Sequence, residues 1–327
     1  MSVPQYLRQI SLKIGNDTEA IDLSELRIRF SVRRGTISTP NTADIRVYNV
    51  SAATAKKAQL KEFGRVVLQA GYAGNYGVIF DGTIKQVRRG RESQTDTYLD
   101  ITAADGDSAY NWSVINMSLA AGSTAQDHLK AAVQAMEGRG VTMGDSDQLS
   151  TNKLPRGKVM FGLTRDVLDN LGRTQDVSWS IQDGKMTLIP NTAYLPGEAI
   201  VVNYQTGMVG LPEQTQNGVN VRMLLNPSVK IGRRLKIDNG SIQQVRYDPN
   251  ILAEADVVKQ KIQNHLSADG MYKVLIADSY GDTRGNEWYT EAICIAVDAT
   301  LTNESMIRDG VDIPGAIQTP GPVKPYG

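Results

Sequence analysis

Cysteine and histidine are nearly missing from this chain: its 327 residues include one Cys and two His. A lone Cys294 forms no internal disulfide, so nothing here calls for an oxidising compartment. His128 and His265 fall on separate predicted helices, His128 one residue off an apolar face and His265 near a helix end. Both read as structural, and neither builds a Ser–His–Asp or Cys–His arrangement in sequence. With no HxxxH and no CxxC, metal-ligand spacing is lacking. Asp105-Gly106-Asp107 and Asp145-Ser146-Asp147 begin like calcium loops but lack the later ligands and closing Glu, so they read as turns. Net charge is also lacking: 35 Lys+Arg balance 35 Asp+Glu, so no global field draws in nucleic acid. Aromatics are sparse at 6% and do not interleave with the basic residues as a base-stacking platform requires. No apolar run approaches the roughly 18–20 residues of a membrane helix. Met1-Ser2-Val3-Pro4-Gln5-Tyr6 lacks the basic and apolar regions of a secretory signal, so the expectation is folding in a cytoplasm. The glycines from Gly71 to Gly77 are followed by a strand pattern and no Lys-Ser/Thr pair, which excludes a phosphate loop. These absences leave no catalytic, cofactor-binding or metal residues to assign. They favour a binding or structural protein over an enzyme.

What is present is a theme stated twice. Leu26, Ile28, Phe30 and Val32 alternate with Arg27, Arg29, Ser31 and Arg33, the period-two pattern of a half-buried strand. Further strand patterns follow at Ile45–Val50, Val66–Leu68, Val78–Phe80, Ile84–Val87 and Tyr98–Ile101, and Ser51 is placed to cap one short helix running to about Phe63. A second run has the same grammar. Strands are expected at Ile200–Val202, Val219–Leu225, Leu235–Ile237, Tyr272–Ala277 and Tyr289–Val297. Asn250 is expected to cap one helix there, with Ala255, Val258, Ile262 and Leu266 on one face.

Between the two lies a different segment. Ser123 with Gln126 reads as a capping box opening a helix on Leu129, Ala132, Val133 and Met136. Thr164 is expected to cap a second helix, with Gly172 ending it. Alternation on both sides of Asp183-Gly184, from Val177 to Pro190, is the strongest hairpin signal in the chain. Beyond residue 300, four prolines and three glycines in the last fifteen residues predict an extended tail.

Several runs resemble tailed-bacteriophage tail (baseplate) hub proteins, which are related to the hubs of contractile injection systems. They are Tyr272-Lys273-Val274, Gly281-Asp282-Thr283-Arg284-Gly285, Trp288-Tyr289-Thr290-Glu291, Gly218-Val219-Asn220-Val221, Trp179–Gly184, Ala43–Asn49 and Gly77–Ile84. The resemblance spans about residues 20–300 and rests on order and spacing. It implies a mainly β fold with an α+β insertion: a tail-tube-like β-barrel at 1–107, a middle α+β domain at 108–197, a second such barrel at 198–300 and a tail at 301–327. It further implies a structural virion protein, a homotrimer whose six barrels form a pseudo-six-fold ring. The ring would join the six-fold tail tube to the three-fold spike and line the DNA ejection channel. Expected partners are the chain itself, the tail tube protein, the tail spike, other baseplate proteins and the tape measure protein, with DNA only in transit and no membrane insertion. Assembly is expected in the host cytoplasm. No hydrolase domain and no iron-binding His-x-His motif of some relatives is carried over.

Within that resemblance Asp282, Arg284 and Trp288 are the candidate interface residues. Asp282 is placed to accept from turn amides and Arg284 to reach a carboxylate or carbonyl, while Gly281 and Gly285 would supply positive φ. The turn either contacts the next subunit, the tube or the spike, or only sets hairpin register. Trp288 is expected inside a barrel or its interface. Lys85, Arg88, Arg89 and Arg91 cluster on one strand, with Glu92, Asp96 and Asp100 across the hairpin to pair with them. The alternatives are a hub or spike of a non-phage injection machine, a phage-tail cell-wall hydrolase with an unrecognised carboxylate pair, and a carbohydrate-binding β-protein.

Overall fold

A computed structural model of the chain describes residues 7–15, 20–59, 64–146, 149–191, 193–215, 218–243 and 269–296. The expected helix at 250–266, His265 and the Pro/Gly-rich tail lie outside the described residues.

The first β-unit contains β1 (Arg8–Gly15), β2 (Ala20–Asp22), β3 (Ile28–Gly35), β4 (Thr42–Tyr48), helix α1 (Ala52–Gln59), β5 (Arg65–Tyr72), β6 (Asn75–Arg91) and β7 (Thr97–Ala104). Alternation in β3 is as expected: Ile28, Phe30 and Val32 are buried while Arg29, Ser31 and Arg33 are exposed. Ser51 caps α1 by accepting from the Thr54 amide at 3.1 Å. The patterns at Val78–Phe80 and Ile84–Val87 belong to one long strand, β6, bent by a bulge between Ile84 and Gln86.

The middle segment contains α2 (Asp107–Trp112), β8 (Val114–Leu119), α3 (Ala125–Glu137), β9 (Thr142–Met143), β10 (Lys158–Leu163), α4 (Thr164–Gln175), β11 (Val177–Gln182) and β12 (Lys185–Pro190). The expected hairpin is β11–β12, paired from Val177↔Pro190 to Gln182↔Lys185. Asp183 and Gly184 have φ of 55° and 74°, the left-handed pair that such a two-residue turn requires. Leu129, Ala132, Val133 and Met136 of α3 are buried as the spacing predicted. Its capping box is one residue later than expected. Thr124 and Asp127 exchange the bonds, because the Asp127 carboxylate reaches back to the Thr124 amide at 2.9 Å. Thr164 caps nothing: it is the first residue of α4 and is fully buried. The helix continues past Gly172, whose Cβ position would lie 2.7 Å from the Val177 carbonyl, and ends on left-handed Asp176.

The second β-unit contains β13 (Ile200–Val202), β14 (Glu213–Thr215), β15 (Gly218–Leu224), β16 (Arg234–Ile237), β17 (Met271–Asp282) and β18 (Trp288–Ala296). The strands of its closing hairpin run further than expected, leaving only Thr283–Glu287 as the turn.

The two β-units repeat one arrangement. Strands β4, β5, β6 and β7 lie in the order β4-β7-β6-β5, and β15, β16, β17 and β18 lie in the order β15-β18-β17-β16, every neighbour antiparallel. Details match as well. β17 has a bulge between Val274 and Ile276, the counterpart of the one in β6. The Ile84 amide donates to Gly64 and the Val274 amide to Arg233, each at 2.9 Å.

The fold is mainly β, with antiparallel pairing dominant and, among the described residues, the helices concentrated in the middle segment. One large sheet runs through both β-units, because β17 pairs with β3 from Ile276↔Gly35 to Asp282↔Arg29. Three main cores follow the three stretches of sequence, with telling exchanges. Leu225 and Trp288 sit in the core built on β1–β7, and Ile189 and Leu195 in the core of the second β-unit.

Candidate functional site

The candidate residues meet at the seam where β17 joins β3. The bulge makes this seam possible. Before it, Arg234 and Lys236 of β16 face Lys273 and Met271; after it, the same side of β17 takes β3 instead. Leu275, at the bulge, accepts from the Thr36 amide at 3.0 Å. A strand that changes partner at a bulge is bent and twisted there, which turns one β-unit relative to the next.

Trp288 is 1% exposed and lies edge-on to Phe30, ring centroids 5.3 Å apart. Its indole N–H donates to the Gly71 carbonyl at 3.3 Å. Trp288 thus starts the last strand of the second β-unit yet fills the core of the first. Gly281 and Gly285 do not adopt positive φ. Gly281 is glycine for another reason: a Cβ there would stand 2.6 Å from the Trp288 ring and 2.9 Å from that of Phe30. The glycine clears space for two aromatic rings.

Asp282 is buried and forms a two-pronged ion pair with Arg27, at 2.7 and 3.2 Å. It also accepts from the Arg284 amide at 2.9 Å, as its place in the turn predicted. Burial pushes its carboxyl up, but the Arg27 guanidinium and the backbone amides of Arg284 and Gly285 together outweigh this and hold it below the usual carboxylate range. Arg8 of β1 closes over the turn, donating to Gly285 at 2.7 Å and Asn286 at 2.9 Å. Thr283 exchanges two bonds with the backbone of Ile28, both 3.0 Å. Arg284 itself is exposed, and among the described residues its guanidinium has no ion pair or hydrogen bond. The turn therefore grips the first β-unit of its own chain, a partner that neither sequence reading of the turn named. Arg27 and Arg8 were missed because contacts across more than 250 residues leave no local signal.

A second junction, of charge, holds the middle segment. Asp183 at the hairpin turn takes Arg34 of β3 in a two-pronged pair and Lys230 of the second β-unit at 3.0 Å. Arg34 is only 6% exposed. Asp105, from the first of the two Asp-containing turns, accepts from the amides of Asp183 and Gly184. Burial pushes Asp105 up to about 7. Burial also pushes Asp183 up, but Arg34 and Lys230 outweigh it and keep it low. Lys273 adds a tether, donating to the carbonyls of Pro190 and Asn191 at 2.8 and 2.9 Å.

The basic cluster is exposed on β6. Arg88 lies 3.9 Å from Asp100, but the closer partner of Asp100 is Arg46 at 2.7 Å. Lys85 pairs with Asp107 at 2.8 Å, and Asp96 binds Asn49 rather than an arginine. His128 is buried, its Nε2 3.3 Å from the Ser123 hydroxyl. Cys294 is fully buried, which pushes its thiol up and removes it as a nucleophile at neutral pH. Among the described residues no cluster of His, Cys, Asp or Glu is arranged to hold a metal ion. The geometry is that of a rigid joint.

The fold is similar to that of the 43 kDa tail protein of prophage MuSo2 from Shewanella oneidensis, with TM-score 0.57, 7% identity and coverage of 90% of this chain and 98% of that one. A tail protein from Neisseria meningitidis MC58 aligns with TM-score 0.54 and 8% identity, covering 89% of this chain and 99% of that one. A chain of the half-lidded Francisella PdpA-VgrG complex aligns with TM-score 0.52 and 6% identity, covering 91% of this chain but 59% of that one. No curated protein matches in sequence. A family model described as "Baseplate hub gp41" matches residues 7–241, more than two thirds of the sequence. The chain belongs to the baseplate hub gp41 family, and is a tail and baseplate component of the virion of a phage or of a related system.

Proposed function

We propose that this hub protein is a homotrimer whose six β-units form a pseudo-six-fold ring, joining the six-fold tail tube to the three-fold spike and lining the channel through which DNA leaves. The observation that carries the reading is the repeat: one strand order, one bulge and one bulge-flanking hydrogen bond occur in both β-units. A three-fold body that meets a six-fold partner needs two equivalent surfaces per chain, and this chain has two equivalent units. Residues 1–107 and 198–300 are the two barrels, and 108–197 form a domain beside them. The role is structural and non-enzymatic, with the tail tube protein, spike, other baseplate proteins and the tape measure protein as neighbours, and assembly takes place in the host cytoplasm.

Native mass spectrometry and cryo-electron microscopy of the purified chain test this. The expected result is a trimer with successive β-units rotated by about 60° around a central channel. A monomer at all concentrations, or a ring in which the two units occupy unrelated positions, would overturn it.

A further inference from the structure

Half of the exposed large apolar side chains among the described residues belong to the middle segment: Trp112, Val114, Leu154, Val159 and Phe161, at and around β8 and β10. These two strands form a sheet of their own, paired from Lys158↔Leu119 to Leu163↔Val114. One face of it is covered: Ile115 and Met160 pack with Ala131 of α3, and Val167 of α4 lies against them. The other face carries Val114, Val159 and Phe161, which are 58%, 73% and 76% exposed. An apolar sheet face left in water marks an interaction site. The edge of β10 is open as well. The Thr164 amide donates to the Ser113 carbonyl at 2.9 Å, which fixes the phase of the ladder. Backbone groups alternate along an antiparallel strand, so those of Val159 and Phe161 point away from β8. Among the described residues no hydrogen bond reaches them.

We propose that β10 receives, along this edge, an extended acidic segment of a partner protein, apolar at alternate residues. The inference stands without the ring reading. Open backbone groups recognise a strand, and the exposed face beside them takes that strand's alternate side chains. Charge selects an acidic one. Residues 149–164 contain Lys153, Arg156 and Lys158 and no Asp or Glu. Residues 113–126, which include β8, contain no charged residue. Among the described residues none of the three cations has an ion pair. The nearest acids along the chain are engaged elsewhere, Asp127 in the cap of α3 and Asp166 with Arg165 at 3.8 Å. In a chain of zero net charge this leaves a local cationic field beside the apolar face. An anionic lipid surface would also answer the cations and the apolar side chains. It would leave the outward backbone groups of Val159 and Phe161 without partners, a cost that an added strand removes.

Fluorescence anisotropy of the full chain with a short labelled peptide, acidic residues alternating with valine, tests the proposal. The wild type should bind this peptide and not one in which lysine replaces every acid. Lys153→Glu with Arg156→Glu should weaken binding by about tenfold. Phe161→Ser should weaken it by about tenfold too. Both variants should keep the unfolding midpoint of the wild type, since the altered side chains are exposed. Methylating the amide nitrogens along one edge of the peptide should abolish binding, because only a strand uses them. A wild type that ignores the acidic peptide, or that binds the methylated one equally well, overturns the proposal. Two further measurements assign the surface to another occupant and overturn it in the same way. One is phosphatidylglycerol vesicles that carry down the wild type but not Phe161→Ser. The other is Phe161→Ser sedimenting with fewer subunits than the wild type, which would make this face a contact between copies of the chain.

Discussion

The two junctions of this molecule differ in how the backbone takes part. The seam between the β-units is a continuous backbone ladder over Ile276–Asp282, sealed by Trp288, Phe30 and the gap left by Gly281. Among the described residues the strands of the middle segment share no sheet with either unit, and the segment is attached group by group: Asp183 between Arg34 and Lys230, Asp105 on two amides, Lys273 on two carbonyls, and Ile189 and Leu195 in the core of the second β-unit. A ladder-bonded seam resists relative motion, because sliding breaks many bonds and opens a cavity. A charged junction concentrates its strength in a few groups, any of which unmakes it when lost. The difference assigns fixed geometry to the β-units and leaves orientation of the middle segment dependent on a handful of side chains.

The sharpest way to break the comparison is at the seam. Trp288→Ala should cost about 3–5 kcal/mol in chemical denaturation, and both β-units should lose cooperativity together, since one contributes the ring and the other its pocket. An unchanged unfolding midpoint would remove the seam's claim to rigidity. Next comes the charged junction. Asp183→Asn keeps a side chain that tolerates the left-handed turn but leaves buried Arg34 and half-buried Lys230 without their carboxylate, a loss of roughly 3 kcal/mol. Hydrogen exchange should rise first in β11–β12 while β3 and β17 stay protected; uniform loss of protection would contradict the division. Asp282→Ala should cost about 1–2 kcal/mol, since Arg27 and the Arg284 amide each lose an acceptor. Arg284→Ala should stay within about 0.5 kcal/mol, because that side chain is exposed. An equal effect of the two would mean that Arg284 has a partner in the folded chain.

A pH titration sharpens the comparison further. Asp278, buried beside β3, is pushed up to about 7 by burial, as is Asp105. A carboxyl whose folded pKa lies above its unfolded value stabilises the fold in its protonated form. That contribution is complete below about pH 4 and disappears as pH rises through about 7. Asp278→Asn should therefore gain about 1 kcal/mol or more at pH 8 and flatten the decline between pH 5 and 8. Asp105→Asn should not gain in the same way, since an amide has one acceptor for two backbone N–H groups. Equal responses of the two variants would count against the geometry at Asp105.

The sequence carried the local half of this architecture. Alternation in β3, the Asp-Gly hairpin and the apolar face of α3 are set by neighbours two to four residues apart, and each is where the pattern placed it. β1 was missed although Ile10, Leu12 and Ile14 alternate. Short helix α2 was missed because its apolar positions are few, and the β8–β10 pair because its apolar residues do not alternate with polar ones and Val159 and Phe161 stay exposed. At the candidate site, burial of Trp288 and the amide bond to Asp282 were legible. Which core receives Trp288 was not, because that depends on pairing β3 with a strand some 245 positions away. Gly281 shows the same limit: glycine suggested a turn conformation, whereas the reason is an aromatic ring visible only in three dimensions.

That distance has a consequence for the order of synthesis. The first β-unit is translated early, but its core lacks one of its largest side chains until residue 288 has been made. Contacts this remote in sequence form late and slowly. A growing or truncated chain therefore holds an incomplete first unit, with Phe30 and Gly71 waiting for a ring that has not arrived. Completion of the hairpin acts as a checkpoint: only a chain translated beyond Trp288 presents a finished unit to its neighbours.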